Sequence, residues 1–91
     1  GGGAYLGTQP DYAGEAKGVK LGGVTAGSPA EKAGLKGGDV IVRFDGKPIA
    51  TIEDYMEGIS RKKPGDVIQI GILRNGEEIP IKVVAGSRGS Q

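Results

Sequence analysis

The chain has 91 residues, with no cysteine, histidine or tryptophan and with 19 glycines, about 21% and roughly three times the ordinary share. That length allows one domain, whose small core must hold without disulfide or cysteine-bound metal support. Twelve Lys and Arg against 11 Asp and Glu are interspersed and leave a net charge of +1, which gives no electrostatic footprint for nucleic acid or an anionic membrane.

Other classes fall away as quickly. No G-X-Y period marks collagen, and recurring aliphatic runs argue against disorder. No apolar run approaches the ~20 residues of a membrane span, and no signal-peptide pattern is present. Residues 1–3 and 86–91 have the composition of linkers and are read as such, leaving 4–85 as the domain. Fourteen glycines remain inside that domain and call for positional explanations.

In chain order, Tyr5 to Tyr12 reads as extended, with Pro10 marking an edge strand because it has no N–H to give to a ladder. Gly14 to Gly18 is a turn. Val19 to Val24 alternates apolar and polar and reads as a half-buried strand, with a bulge or close backbone approach at Gly22-Gly23. Ser28-Pro29-Ala30-Glu31 has capping-box spacing, with Ser28 as N-cap, Pro29 at the first helical position and Glu31 reaching back to the cap. Gly34 stops that helix.

Asp39 to Phe44 puts Val40, Val42 and Phe44 on one strand face, expected to be core, and Asp45-Gly46 turns the chain into Lys47-Pro48-Ile49. Thr51 and Asp54 form a weaker capping pair for a second helix carrying Ile52, Tyr55, Met56 and Ile59 on one stripe. Gly58 lies inside that helix without an evident reason. Val67 to Leu73 and Glu78 to Val84 flank Asn75-Gly76, the sharpest hairpin signal, with Ile68, Ile70, Ile72 and Ile79, Ile81, Val83 each at period two. Five or six short strands and two short helices, mixed without regular βαβ alternation, predict an α+β domain on a partly closed antiparallel sheet.

Chemistry is scarce. Lacking His and Cys, the chain has no Ser-His or Cys-His nucleophile and none of the usual zinc ligand sets. Ser28 is better used as a helix cap than in a Ser-Lys dyad. The carboxylates of Glu53-Asp54 and Glu77-Glu78 are sequence neighbours and so point apart. No phosphate-loop pattern surrounds Gly34, Gly37 and Gly38, and Arg61-Lys62-Lys63 complements a helix C-terminus. No catalytic residue, metal or cofactor is expected. What remains is Tyr5-Leu6-Gly7-Thr8. If Gly7 lets the chain bend, the amides of Leu6, Gly7 and Thr8 converge on an anion; the plainer reading of these four residues is a hydrophobic strand start.

The series Tyr5-Leu6-Gly7, then Ser28-Pro29-Ala30-Glu31-Lys32-Ala33-Gly34-Leu35-Lys36-Gly37-Gly38-Asp39-Val40-Ile41, then Asp45-Gly46-Lys47-Pro48-Ile49, Lys63-Pro64-Gly65-Asp66-Val67 and Arg74-Asn75-Gly76 resembles the bacterial protease-associated PDZ domain family. The resemblance covers residues 4–85 and is most specific at the run beginning with Ser28. It looks most like the PDZ domain appended to secreted zinc aminopeptidases, and next like that of the high-temperature-requirement serine proteases.

The resemblance implies a circularly permuted PDZ fold, a five- to six-stranded partly closed β sandwich or barrel capped by two short helices. It also implies a peptide-binding, non-enzymatic module that takes C-terminal or extended segments by β-strand addition, guiding substrates of an attached peptidase. Carried over by position, Leu6, Gly7 and Thr8 take the terminal carboxylate, and Tyr5, Pro10, Tyr12, Ile52, Met56 and Ile59 form the groove. Core packing competes for that helical stripe, above all for Tyr55 and Ile59. The implied partners are peptide or protein C-termini and a catalytic domain of the same parent chain, in the periplasm or outside the cell. The alternative is a structural module that packs on its own catalytic domain and binds no free terminus. Three departures bear on the choice: Thr8 stands where the family has a bulky apolar residue, Pro10 removes one ladder donor, and no Arg or Lys precedes Tyr5.

Overall fold

The computed structural model describes residues 4–11 and 17–87. Its elements are β1 (Ala4–Tyr5), β2 (Thr8–Pro10), β3 (Val19–Val24), α1 (Pro29–Ala33), β4 (Val40–Phe44), β5 (Lys47–Pro48), α2 (Ile52–Ser60), β6 (Val67–Arg74), β7 (Glu77–Val84) and β8 (Gly86–Ser87). Tyr12 and most of the turn expected at Gly14 to Gly18 lie outside the described residues.

The six-stranded antiparallel sheet runs β2-β3-β4-β6-β7, with β5 added to β4, and a separate two-stranded sheet joins β1 to β8. The α+β class and the two short helices agree with the sequence, but among the described residues the sheet does not close. β2 and β7 are the two edges of an open sheet, and α1 rather than another strand packs against β7. Composition placed Gly86 and Ser87 in the trailing linker; they pair instead with Tyr5 and Ala4.

Turn chemistry accounts for the two hairpins. Asn75 and Gly76 have φ of 54° and 81°, and Asp45 and Gly46 have 50° and 83°, the paired left-handed conformations that match strand twist in a two-residue loop. β6 and β7 then pair without interruption from Val67↔Val84 to Arg74↔Glu77, and Ile68, Ile70, Ile72, Ile81 and Val83 are buried as their alternation requires.

β4 departs from its pattern. A register shift between Ile41 and Arg43 turns the strand partway along, so that Ile41 and Phe44 are buried while Val40 and Val42 are only partly so. A second shift lies where Gln9 pairs with Gly23 but Pro10 with Leu21, leaving Gly22 as the extra residue.

The two helix caps exchange their expected strengths. At α1, Glu31 N–H donates to Ser28 Oγ (3.2 Å), but the Glu31 carboxylate accepts from Gly27 N–H (2.7 Å), because Ser28 N–H already donates to Thr25 O. At α2 the box is complete: Asp54 N–H donates to Thr51 Oγ1, and Asp54 Oδ2 accepts from Thr51 and Ala50 N–H. The basic residues after α2 serve the fold, since Lys62 pairs with Asp45 and Arg61 with Glu57.

Gly58 now has its reason. A Cβ there would stand 2.9 Å from Cδ1 of Phe44, whose buried ring in turn meets Tyr55 edge-on at 6.0 Å. Gly58→Ala is therefore expected to lower stability although alanine favours helix by about 1 kcal/mol; a raised unfolding midpoint in urea would contradict this packing.

Candidate functional site

Leu6 and Gly7 form the connection between β1 and β2, and two backbone bonds hold it. Ala30 N–H of α1 donates to Leu6 O (2.8 Å), and Thr25 N–H donates to Gly7 O (2.8 Å). In a trans peptide the N–H points opposite to the C=O. The amide of Gly7 therefore faces away from α1, and that of Thr8 away from β3. Gly7 is buried at φ +82°, and a Cβ on it would lie 2.2 Å from Cβ of Ser28. The helix-capping serine and the loop glycine are packed on each other.

β2 continues this arrangement as an edge strand. The Thr25 to Gly7 bond brackets Thr8↔Val24 as a non-hydrogen-bonded pair, and the Asp11 N–H to Lys20 O bond (2.8 Å) does the same for Pro10↔Leu21. Main-chain groups of Thr8 and Pro10 thus face the open edge. Thr8 has an N–H to offer there and Pro10 has none.

α2 supplies the opposite wall, and one side-chain contact joins it to β2. Thr8 Oγ1 and Tyr55 Oη are 2.7 Å apart. Tyr55 is 1% exposed; burial pushes its hydroxyl up to about 12 despite the Thr8 bond, so it stays protonated and able to donate. On the same stripe Ile52 and Ile59 are half-buried against the core, whereas Met56 is 59% exposed beside Tyr55.

Tyr5 and Pro10 are half-buried near the loop and on β2. Leu6, Gly7, Thr8 and Tyr5 are thus brought together, Ile52, Met56 and Ile59 share α2, and Tyr12 is outside the described residues. Tyr55 was assigned to the core from its position on the stripe; its hydroxyl also reaches β2. The available signal was that a buried tyrosine needs a hydrogen-bond partner and that Thr8 puts an oxygen where an apolar side chain is usual.

The geometry of an open strand edge, a glycine-bent loop and a facing helix meets its counterpart in known proteins. The PDZ domain family model matches residues 4–84. The chain belongs to the PDZ domain family. Among relatives of this PDZ domain, the periplasmic pH-dependent serine endoprotease DegQ of Escherichia coli is 34% identical over 67 residues, 74% of this chain and 15% of DegQ. A putative zinc metalloprotease, NMA0084 of Neisseria meningitidis, is 48% identical over 56 residues, 62% of this chain and 12% of that protein. A solved structure described as HtrA-type protease AlgW with decapeptide superposes with a TM-score of 0.86 at 28% identity, over 99% of this chain and 31% of that chain. The domain thus spans a small part of the length of the proteases it matches.

Proposed function

We propose that this PDZ domain captures the C-terminus of an extended peptide as an added antiparallel strand on β2, with α2 as the facing wall. The reading rests above all on the outward amides of Gly7 and Thr8 beside an unpaired strand edge. Main-chain pairing supplies affinity, and the side chains lining the groove supply choice. In this reading Leu6, Gly7 and Thr8 hold the carboxylate, and Tyr5, Pro10, Ile52, Met56 and Ile59 contact the ligand; Tyr12, assigned to the groove from the sequence, lies outside the described residues. The peptide-bound state of AlgW supports the mode of use.

Attachment to a peptidase, whose substrates the domain would guide, is supported by the proteases among its relatives, and a location in the periplasm or outside the cell by the periplasmic ones. Relatives of both serine and zinc type leave either catalytic chemistry open to the parent chain.

An amide-resolved NMR titration with an octapeptide bearing a free carboxylate tests the site. The largest shifts are expected at Leu6, Gly7 and Thr8, with smaller ones at Ile52 and Met56; shifts confined to β7 or to the β4–β5 turn would contradict the assignment. Pro10 provides a second test. Because its nitrogen faces the open edge, Pro10→Ala adds one donor for the ligand strand and is expected to tighten binding about fivefold, the worth of one ordinary hydrogen bond. Unchanged affinity in a calorimetric titration would mean that the peptide does not pair along β2 as far as residue 10.

A further inference from the structure

We propose that this groove selects a small, hydroxyl-bearing C-terminal residue, threonine or serine, through the paired hydroxyls of Thr8 and Tyr55. The proposal rests on the peptide-binding reading above and names the ligand chemistry it implies.

Thr8 is the first residue of β2, directly after the Gly7 bend, so its side chain stands beside the place where the last residue of an added strand would lie. That side chain reaches across to α2 and meets Tyr55 Oη at 2.7 Å. Behind this contact the Tyr55 ring is buried edge-on against Phe44. A ligand side chain entering between β2 and α2 therefore meets the half-buried Thr8 side chain, whose hydroxyl is backed by the buried Tyr55 hydroxyl, where an aliphatic pocket would offer carbon.

Counting hydrogens gives the preference. Two hydroxyls carry two O–H donors, and the single bond between them uses one. Whichever oxygen donates, one O–H and several lone pairs are left over. Thr8 is only half-buried in the free domain, so the pair is open to water from its side rather than from that of buried Tyr55. An apolar terminal residue would displace that water and leave the spare donor without a partner, whereas a ligand hydroxyl replaces the lost bond. Sites built this way discriminate strongly against the analogue that lacks the polar group.

Threonine and valine have nearly the same shape, so a peptide pair differing only in that terminal residue isolates the chemistry. Affinities of both peptides, with free carboxylates, are measured by fluorescence anisotropy for the unmodified chain, Thr8→Val and Tyr55→Phe. The unmodified chain is expected to bind the threonine peptide about tenfold more tightly than the valine peptide. The ratio should move toward valine by about tenfold in Thr8→Val, the worth of one hydrogen bond to a desolvated group, and in the same direction in Tyr55→Phe. Equal affinities or a valine preference in the unmodified chain, or a ratio unmoved by either substitution, overturns the proposal while leaving peptide binding intact. If neither peptide binds at all, the peptide-binding reading itself fails, and this selectivity with it.

Discussion

Replacing Gly7 by alanine is expected to lower the thermal midpoint by roughly 15 °C and to abolish peptide binding. Two costs combine. The left-handed backbone at φ +82° costs a residue with a Cβ about 1–2 kcal/mol. The new methyl would also lie 2.2 Å from Ser28 Cβ and 2.6 Å from its Oγ. Ser28 cannot step aside freely. It is 3% exposed and caps α1, and losing that cap costs about 1 kcal/mol more. Moving α1 instead would break the Ala30 to Leu6 bond that sets the direction of the Gly7 amide. The sum is on the order of 3 kcal/mol for a domain this small. Gly27→Ala is the control: its φ is +75°, but no atom lies within 4 Å of the added carbon, so only backbone strain applies, roughly 5 °C. Equal losses in scanning calorimetry would mean that the loop is not packed on Ser28.

The second large effect concerns Asp39, which is 2% exposed. Its carboxylate accepts from Arg74 Nε (2.9 Å), Arg74 Nη2 (2.7 Å) and Lys36 N–H (2.9 Å), while Arg74 Nη2 also donates to Gly34 O. The aspartate thereby ties the turn after α1 to the end of β6. The same turn is laid on β3, with Gly38 N–H donating to Leu21 O and Leu21 N–H to Asp39 O. Asp39→Ala removes these charge-assisted bonds and is expected to cost about 2 kcal/mol, or roughly 10 °C.

The pH dependence has a definite sign. Burial by itself raises the Asp39 pKa, but the Arg74 and Lys36 bonds and charges outweigh it and hold the carboxyl below its ordinary range. A depressed folded-state pKa contributes stability that is fully present above the unfolded value of about 3.9 and is lost as pH falls through the folded one. Unfolding midpoints of the unmodified chain should therefore drop as pH is lowered below about 4, and Asp39→Ala should flatten that drop. Some acid sensitivity will persist, because Lys62 and the Gln69 amide hold Asp45 low as well, against its own desolvation. An acid profile identical in the two proteins would contradict the role given to Asp39.

The sequence carried most of this architecture because its local signals are strong and mutually consistent. Asn75-Gly76 and Asp45-Gly46 demand left-handed pairs, Thr51 and Ser28 each carry an acceptor for a helix start, and period-two isoleucines bury one face of β6. What stayed hidden depends on pieces far apart in the chain. The shift between Ile41 and Arg43 buries Ile41 in place of Val40 and Val42 while keeping Phe44 inside, yet nothing within Val40 to Phe44 announces it. Gly58 makes sense only once Phe44 of β4 lies against α2. The bond from Thr8 to Tyr55 spans 47 positions, and each residue alone has an ordinary explanation. Gly7 was legible as a bend; that its role includes making room for Ser28 required the packed loop.

The direct test of the account is a calorimetric titration of the chain with an octapeptide ending in threonine and with the same peptide amidated at its C-terminus. If the amides of Leu6, Gly7 and Thr8 receive a carboxylate, the amidated copy binds about tenfold or more weakly, because a charge-assisted group is replaced by a neutral one that brings donors of its own. Equal affinity for the two peptides would contradict the role assigned to this loop.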